Sequence, residues 1–121
     1  MARHIENQDA RQRQAVKLLK AALSYIDLDL YQYGNGEVSI LTLNKMIVCV
    51  DNKSLDFSEI STDCYFFRSA ADLLDLLFDP NTCICWCDVN GKFISINFAK
   101  RFGNSIYELK TYLDINIPSK L

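Results

Sequence analysis

Three cysteines alternate with apolar residues in the segment TCICWC, residues 82–87. Thiols bind metal ions, attack electrophiles and undergo reversible oxidation, so this segment has the strongest potential for chemistry in the chain. In a β-strand, Cys83, Cys85 and Cys87 would share one face, with neighbours about 6.6 Å apart along the strand. Structural zinc sites usually take paired ligands from a Cys-x-x-Cys turn instead. The pattern therefore favours a sheet face of reduced, buried or half-buried cysteines.

A metal or redox site remains an alternative for these cysteines. Cys49 and Cys64 are single residues in other candidate strands, which can lie beside residues 82–87 in a folded sheet. The chain has one histidine, His4, in a segment (residues 1–8) that we expect to be flexible. His4 is therefore a poor fourth metal ligand and a poor base for a cysteine nucleophile. We expect no metal and no cofactor.

Carboxylates are the next candidates for catalysis. Asp72, Asp75 and Asp79 follow helical spacing opposite an apolar stripe, which is typical of a solvated face. Asp27 and Asp29 precede a predicted hairpin, where they fit an acid-base pair, a cation site or polar strand-entry positions equally well. The four glycines form no phosphate-binding loop. Without a catalytic constellation, we expect a protein that is not an enzyme.

Basic residues give the better functional candidate. Arg11, Arg13, Lys17 and Lys20 form a cationic stripe along the first predicted helix, and Arg3 adds to it. Such a stripe fits a solvated helix face, an acidic protein partner or nucleic acid, whose phosphates release counterions when neutralised. No helix-turn-helix, zinc-finger or RRM signature accompanies it. We regard the stripe as a speculative partner-binding surface.

Aromatic residues suggest a second binding surface. Tyr31 and Tyr33 share one strand face beside a predicted turn, and paired tyrosines of this kind commonly anchor interfaces. In Tyr65-Phe66-Phe67, alternation along a strand would make both sheet faces apolar. If helices cover only one face, a partner protein or a second subunit is expected to cover the other.

Size, composition and charge limit the number of domains and the class of protein that the sequence can form. The 121 residues, half of them hydrophobic, predict one α+β domain spanning residues 1–121. No apolar run reaches a membrane span, and the polar N-terminus does not resemble a secretion signal, so we expect a cytoplasmic protein with reduced thiols. Residues 1–26 hold five Lys/Arg against two Asp/Glu, residues 27–91 three against eleven, and residues 92–121 five against two. We expect the basic and acidic regions to neutralise each other in part when the chain folds.

Three helices are predicted from apolar periodicity and capping signals. Asp9 and Gln12 resemble a capping box at the start of a helix over residues 9–25. Ser69 with Asp72 predicts a helix over 70–78, and Ser105 with Glu108 predicts one through Leu113. The rest of the C-terminus, residues 114–121, is expected to be an extended tail.

Strands are predicted between these helices. The segments 28–33 and 37–43 flank Gly34-Asn35-Gly36 and predict a hairpin, and a second hairpin is predicted around Val89-Asn90-Gly91. Between the hairpins we expect a third strand at 46–50, a turn at 51–54, an ambiguous segment at 55–62 and a strand, or the start of a helix, at 63–68. The order predicts one mainly antiparallel sheet of about five to six strands with helices against one face.

These observations favour a small, non-enzymatic regulatory or inhibitory protein that acts by binding another macromolecule. We expect that macromolecule to be a protein, and we regard a homodimer as a candidate assembly. Small proteins with which mobile elements block a host system have this general character, although that is an analogy. Nucleic-acid binding through the cationic stripe is the alternative. A cysteine-based metal or redox protein is a further alternative.

Overall fold

The computed structural model describes residues 2–52, 66–103 and 105–116. In these ranges the chain forms four helices and five strands. The elements, in chain order, are α1 (Ala2–Tyr25), β1 (Leu28–Gln32), β2 (Val38–Thr42), β3 (Cys49–Asn52), α2 (Ala70–Leu77), β4 (Thr82–Cys87), β5 (Phe93–Asn97), α3 (Phe98–Phe102) and α4 (Ile106–Asn116). The α+β class is as predicted.

Helix α1 begins at Ala2, earlier than the predicted start at Asp9. Its buried face includes Ala15, Leu19 and Ala22, spaced by four and three residues as the sequence pattern predicts. Because Asp9 and Gln12 lie inside the helix, they cannot form the predicted capping box. Instead, Gln12 Oε1 accepts a hydrogen bond from the Ala71 backbone N–H at 3.1 Å, in the first turn of α2.

Strands β1 and β2 form the predicted hairpin, with Leu30 opposite Ile40. The Tyr33 N–H donates to the Glu37 carbonyl at 2.9 Å, and Gly36 adopts φ 91°, which favours glycine in this turn. Leu28, Leu30, Val38 and Ile40 are buried in the core.

The strands form two sheets rather than the predicted single sheet of five to six strands. One sheet has the order β1-β2 and the other β3-β4-β5, and all pairs are antiparallel. Residues 46–48 hydrogen-bond to β2 (Val48 N–H to the Ile40 carbonyl, 2.9 Å), whereas β3 pairs with β4. The chain changes partners near Cys49, which divides the sheet, and the predicted turn residues Asp51 and Asn52 instead extend β3.

The segment predicted as a fourth strand is described only at its end. Phe67 makes an isolated antiparallel bridge to Val38, with two backbone hydrogen bonds of 2.9 Å. The predictions for residues 53–65, which include Cys64 and Tyr65, lie outside the described residues, as do those for 117–121.

Helix α2 and the β4–β5 hairpin follow the sequence prediction closely. Ser69 is the N-cap of α2, and its Oγ accepts from the Asp72 N–H at 3.2 Å. In the hairpin turn, Asp88 Oδ1 accepts from the N–H groups of Asn90 and Lys92, each at 2.9 Å. This carboxylate fixes the turn in the way that aspartate commonly does.

Helix α3 was not predicted, yet it contributes the largest buried side chains. Asn97 caps it by accepting from the Lys100 N–H at 3.1 Å, and Phe98 and Phe102 are fully buried. The Phe102 ring packs against Phe98 (centroids 4.8 Å apart) and against Tyr112 of α4 (5.3 Å). Ser105 starts α4 as predicted, but α4 continues past Leu113 to Asn116.

All four helices contribute to one hydrophobic core, and each strand face can be assigned by burial. Val50 and Ile84 point into the core, whereas their neighbours Cys49 and Cys85 lie on the opposite face of the sheet. None of the helices in the described ranges is long and apolar enough to cross a membrane.

Candidate binding groove and surrounding surfaces

The four residues of the cationic stripe are all exposed on α1. Arg11 Nη2 forms an ion pair with Asp75 Oδ2 at 2.9 Å, which ties α1 to α2. Arg13 and Lys17 line a cleft of about 390 Å³ together with Lys110 of α4. The fold therefore joins Lys110, far away in the sequence, to the centre of the predicted stripe, while Asp114 in the same cleft offsets part of the charge.

Tyr31 and Tyr33 lie together, as the alternation of the strand predicts. Their ring centroids are 4.7 Å apart in an edge-to-face arrangement, and Phe66 lies 5.3 Å from Tyr33. The Tyr33 hydroxyl accepts a hydrogen bond from Ser39 Oγ at 3.1 Å, which orients its ring. Tyr31 remains 49% exposed, so this aromatic cluster offers a contact surface.

The cysteine face consists of Cys49, Cys83, Cys85 and Cys87, on the side of the β3-β4-β5 sheet opposite the core. Cys85 is buried, Cys49 and Cys83 are half-buried and Cys87 is exposed. All four carry free thiols. The interpretation of residues 82–87 as a strand with its thiols on one face is confirmed.

Burial raises the pKa of the Cys85 thiol above its ordinary value. The hydrogen bond from Cys85 Sγ to Ser95 Oγ, 3.5 Å long, acts in the opposite direction, while nearby Asp51 raises the pKa further. Within the described ranges, no three His, Cys, Asp or Glu side chains converge as a metal site would require.

The predicted acid-base candidates Asp27 and Asp29 take separate roles. Asp29 Oδ1 accepts from the Leu30 N–H at 2.9 Å, on the edge of β1 that faces away from β2. Asp27 follows α1 with φ 62°, a left-handed conformation, and lines a different surface, the groove described next.

An open groove of about 640 Å³ lies beside the β4–β5 hairpin. Trp86, Ile94 and Ile96 form its floor, because they lie on the core-facing side of the β4–β5 hairpin beyond the area that the helices cover. Ile26, just after α1, and Arg101 of α3 complete the walls. This volume falls in the range typical of ligand and peptide sites.

The rim of this apolar groove is formed by two turns. Leu43 (74% exposed) and Met46 follow β2, and Val89 (80% exposed) lies in the β4–β5 turn. Apolar side chains this exposed gain little from packing in the core, and all three line the same groove as Trp86, Ile94 and Ile96. Patches of this type are characteristic of interaction sites.

The charges at the groove are unequal. Asp27 and Asp88 both line it, and Arg101 is the basic residue among its lining side chains. The Arg101 guanidinium also stacks over the Tyr25 ring, 5.1 Å from the centroid. The groove therefore presents an apolar floor with a net negative rim.

Sequence reasoning missed this groove because its residues come from several separate elements and turns. One signal was available: Val89 is a large apolar residue in a predicted turn, where polar residues are usual. An apolar residue that the predicted fold cannot bury indicates a surface that something else covers.

Comparison with known proteins gives no further information on the groove. No protein-family model matches the chain, and neither curated proteins nor solved structures give a significant match.

Proposed function

We propose that the protein is a non-enzymatic regulatory or inhibitory protein that binds a segment of another protein in the apolar groove. The observation that carries this proposal is the ring of exposed apolar residues, Leu43, Met46 and Val89, around an open floor that contains Trp86. Tryptophan and methionine are enriched where proteins bind one another, and methionine adapts to varied partners.

The rim charges define the chemistry of this partner. With Asp27 and Asp88 against Arg101, the best-matched segment carries an apolar anchor side chain next to lysine or arginine. The anchor would occupy the floor beside Trp86, and the basic groups would lie against the carboxylates.

A peptide array tests the partner chemistry directly. It would display segments with one apolar anchor flanked by Lys/Arg, by Asp/Glu or by Ser, probed with the labelled full-length protein. We expect the basic-flanked set to bind most strongly, because the charges of Asp27 and Asp88 then lie near opposite charges. Equal binding of the three sets, or preference for the acidic set, would contradict the proposed partner.

Variants locate the binding site. Val89→Lys places a positive charge on the groove rim at an exposed position, where it repels the basic flank of the peptide, and Tyr107→Lys is the matched control on α4, at a position that is 78% exposed. We expect Val89→Lys to lose at least tenfold in affinity for the best array peptide and Tyr107→Lys to bind normally.

Two other binding modes can be distinguished with variants of the same kind. If the protein is a dimer in light scattering and Val89→Lys makes it monomeric, the groove binds a second copy and the proposal is wrong about the partner. If Arg13→Glu with Lys17→Glu removes binding to nucleic acid while the peptides do not bind, the cationic stripe is the functional surface.

A further inference from the structure

Cys49 and Cys85 lie directly opposite one another on neighbouring strands. The backbone hydrogen bonds define the type of this pair. The Asp88 N–H donates to the Lys92 carbonyl at 2.9 Å, which makes residues 88 and 92 a hydrogen-bonded pair of the β4–β5 hairpin. The backbone N–H and C=O groups of successive strand residues point to alternate sides. Because Asp88 directs these groups towards β5, Cys85, three residues earlier, directs them towards β3. Cys49 and Cys85 are therefore a hydrogen-bonded pair.

This geometry brings the two thiols within the range of a disulfide. Hydrogen-bonded antiparallel pairs have Cα atoms about 5.5 Å apart, and disulfides span Cα separations of about 4.4–6.8 Å. The side chains also share the face opposite the core, since Val50 and Ile84, next to them in sequence, are the ones that enter the core. A bond between the two sulfurs therefore requires no rearrangement of the core.

In the reduced protein the Cys85 thiol is directed elsewhere. Its Sγ donates to Ser95 Oγ on β5, on the other side of β4 from Cys49. Closing the disulfide requires the Cys85 side chain to rotate away from Ser95. Cβ atoms of directly opposite residues lie about 4.5–5.5 Å apart, wider than the spacing of about 3.8 Å in disulfides, so the closed form would be strained and easily reduced.

We propose that Cys49 and Cys85 form a reversible cross-strand disulfide by exchange with a small-molecule disulfide such as oxidised glutathione. Cys49 is half-buried and Cys85 is only 8% exposed, so the reagent reaches Cys49 first. The Cys49 thiolate attacks one sulfur of oxidised glutathione and releases one glutathione thiolate.

The second step completes the exchange. Cys85 loses its proton to solvent and attacks the Cys49 sulfur of the mixed disulfide, which releases the second glutathione as its thiolate. In total, two protein thiols become one disulfide and one molecule of oxidised glutathione becomes two of reduced glutathione. The raised pKa of Cys85 lowers the fraction of its thiolate at neutral pH, so this second step should become faster as the pH rises.

The test uses the full chain incubated with oxidised glutathione and then denatured for thiol titration. The five thiols per chain should fall to three, since two are joined, and dithiothreitol should restore five. Five remaining thiols, or losses explained entirely by bound glutathione, would overturn the proposal.

Peptide mapping identifies the bond. Trypsin places Cys49 in the peptide 46–53 and Cys83, Cys85 and Cys87 together in 69–92. The variant Cys83→Ser with Cys87→Ser leaves Cys85 as the single cysteine of the second peptide, and we expect the two peptides to be joined. The matched control, Cys85→Ser with Cys87→Ser, leaves Cys83 and should give no joined peptide; a joined peptide in the control alone would refute the pairing.

Ser95→Ala provides a readout of the rotation. Loss of the Ser95 hydroxyl removes the group that holds Cys85 away from Cys49. In the Cys83→Ser/Cys87→Ser variant, the joined peptide should therefore form several-fold faster when Ser95→Ala is added than when Ser95 is retained. An unchanged or lower rate would show that this rotation is not part of the reaction.

Discussion

Gly103 ends α3 where the chain must turn sharply into α4. Its φ is 105°, and a Cβ placed on it would overlap the Cβ of Glu108 and lie 2.9 Å from Glu108 Oε2. Glu108 Cβ is fixed to the backbone of α4, so it cannot move away without moving the helix. The close approach of the two elements therefore depends on the absence of a side chain at this position.

Gly103→Ala should lower the free energy of unfolding by about 2–4 kcal/mol, from the combined cost of a strained backbone and a steric overlap. Gly34→Ala is the matched control, because nothing lies within 4 Å of a Cβ placed there. Urea denaturation followed by circular dichroism measures both variants. Equal stability of the two would show that the α3–α4 turn adapts freely.

Cys85 makes stability depend on pH in the alkaline range. Its pKa in the folded protein is raised above the ordinary value of 9.0, mainly by burial. The unfolded chain therefore releases this proton first as the pH rises. The contribution of the protonated thiol is complete below the ordinary value and is lost as the pH rises through the folded-state pKa.

We therefore expect the free energy of unfolding to decrease more steeply with pH in the parent protein than in Cys85→Ala, above about pH 8.5. Urea denaturation under reducing conditions at several pH values gives the two curves. Cys83→Ala removes a neighbouring thiol from the same sheet face and is the control, whose curve should follow that of the parent protein. Parallel curves for all three proteins would contradict the assignment.

At the scale of the elements, α1 and α2 are joined by a polar contact that capping rules do not anticipate. Gln12 reaches from within α1 to the Ala71 N–H, one of the N–H groups that the first turn of α2 leaves unsatisfied. Ser69, directly before α2, accepts a hydrogen bond from another of these groups, the Asp72 N–H. The start of α2 is thus stabilised by two different elements.

Gln12→Ala should lower the free energy of unfolding by about 1 kcal/mol, the usual cost of a lost helix cap. Gln14→Ala is the control, since Gln14 is an exposed residue of the same type on the same helix. It should change stability by less than about 0.5 kcal/mol. Thermal or urea unfolding distinguishes the two, and equal losses would mean that the Gln12 contact contributes nothing of its own.

The elements whose signals are local were predictable from the sequence. Apolar periodicity and the Ser69 and Ser105 caps located α2 and the start of α4, and the Gly-rich and Asn-Gly turns located both hairpins. Helix α3 was missed because five residues directly after a strand show too little periodicity. The division into two sheets was missed because it depends on residues 46–52 changing partners, which is a tertiary property.

The candidate sites follow the same rule. Tyr31 and Tyr33 meet because they share a strand face, and the stripe residues share a helix face, so both groups were visible in the sequence. The apolar groove assembles Ile26, Trp86 and Arg101 from three distant parts of the chain. Only the fold shows that these residues surround one cavity.

Over the whole molecule, charge and apolar surface are placed in different regions. Arg13, Lys17 and Lys110 share one cleft, whereas the groove carries two carboxylates and an apolar floor. Binding in the groove should therefore depend chiefly on apolar contact, and binding at the cation-lined cleft on charge.

This difference predicts the response to salt. The affinity for the best array peptide should change less than about tenfold between 50 and 200 mM salt, whereas a protein that contacts many phosphates loses about a thousandfold or more. Fluorescence anisotropy of a labelled peptide measures this, with Arg13→Glu/Lys17→Glu as the control that should leave peptide affinity unchanged. If the affinity of both proteins falls steeply with salt, charged contacts contribute most of the peptide binding and the expectation is wrong.

Asp29 affects how copies of the chain can meet in concentrated solution. Among the described strands, β1, β3 and β5 each pair with a neighbouring strand on one side only, and the unpaired edge of a strand can add a strand from another molecule. Joining β1 of one molecule to β5 of the next is a head-to-tail contact, and such contacts grow into filaments when they do not close into a ring. By accepting the Leu30 N–H on the outer side of β1, the Asp29 carboxylate removes one donor that each added molecule would need, and so it opposes filament growth.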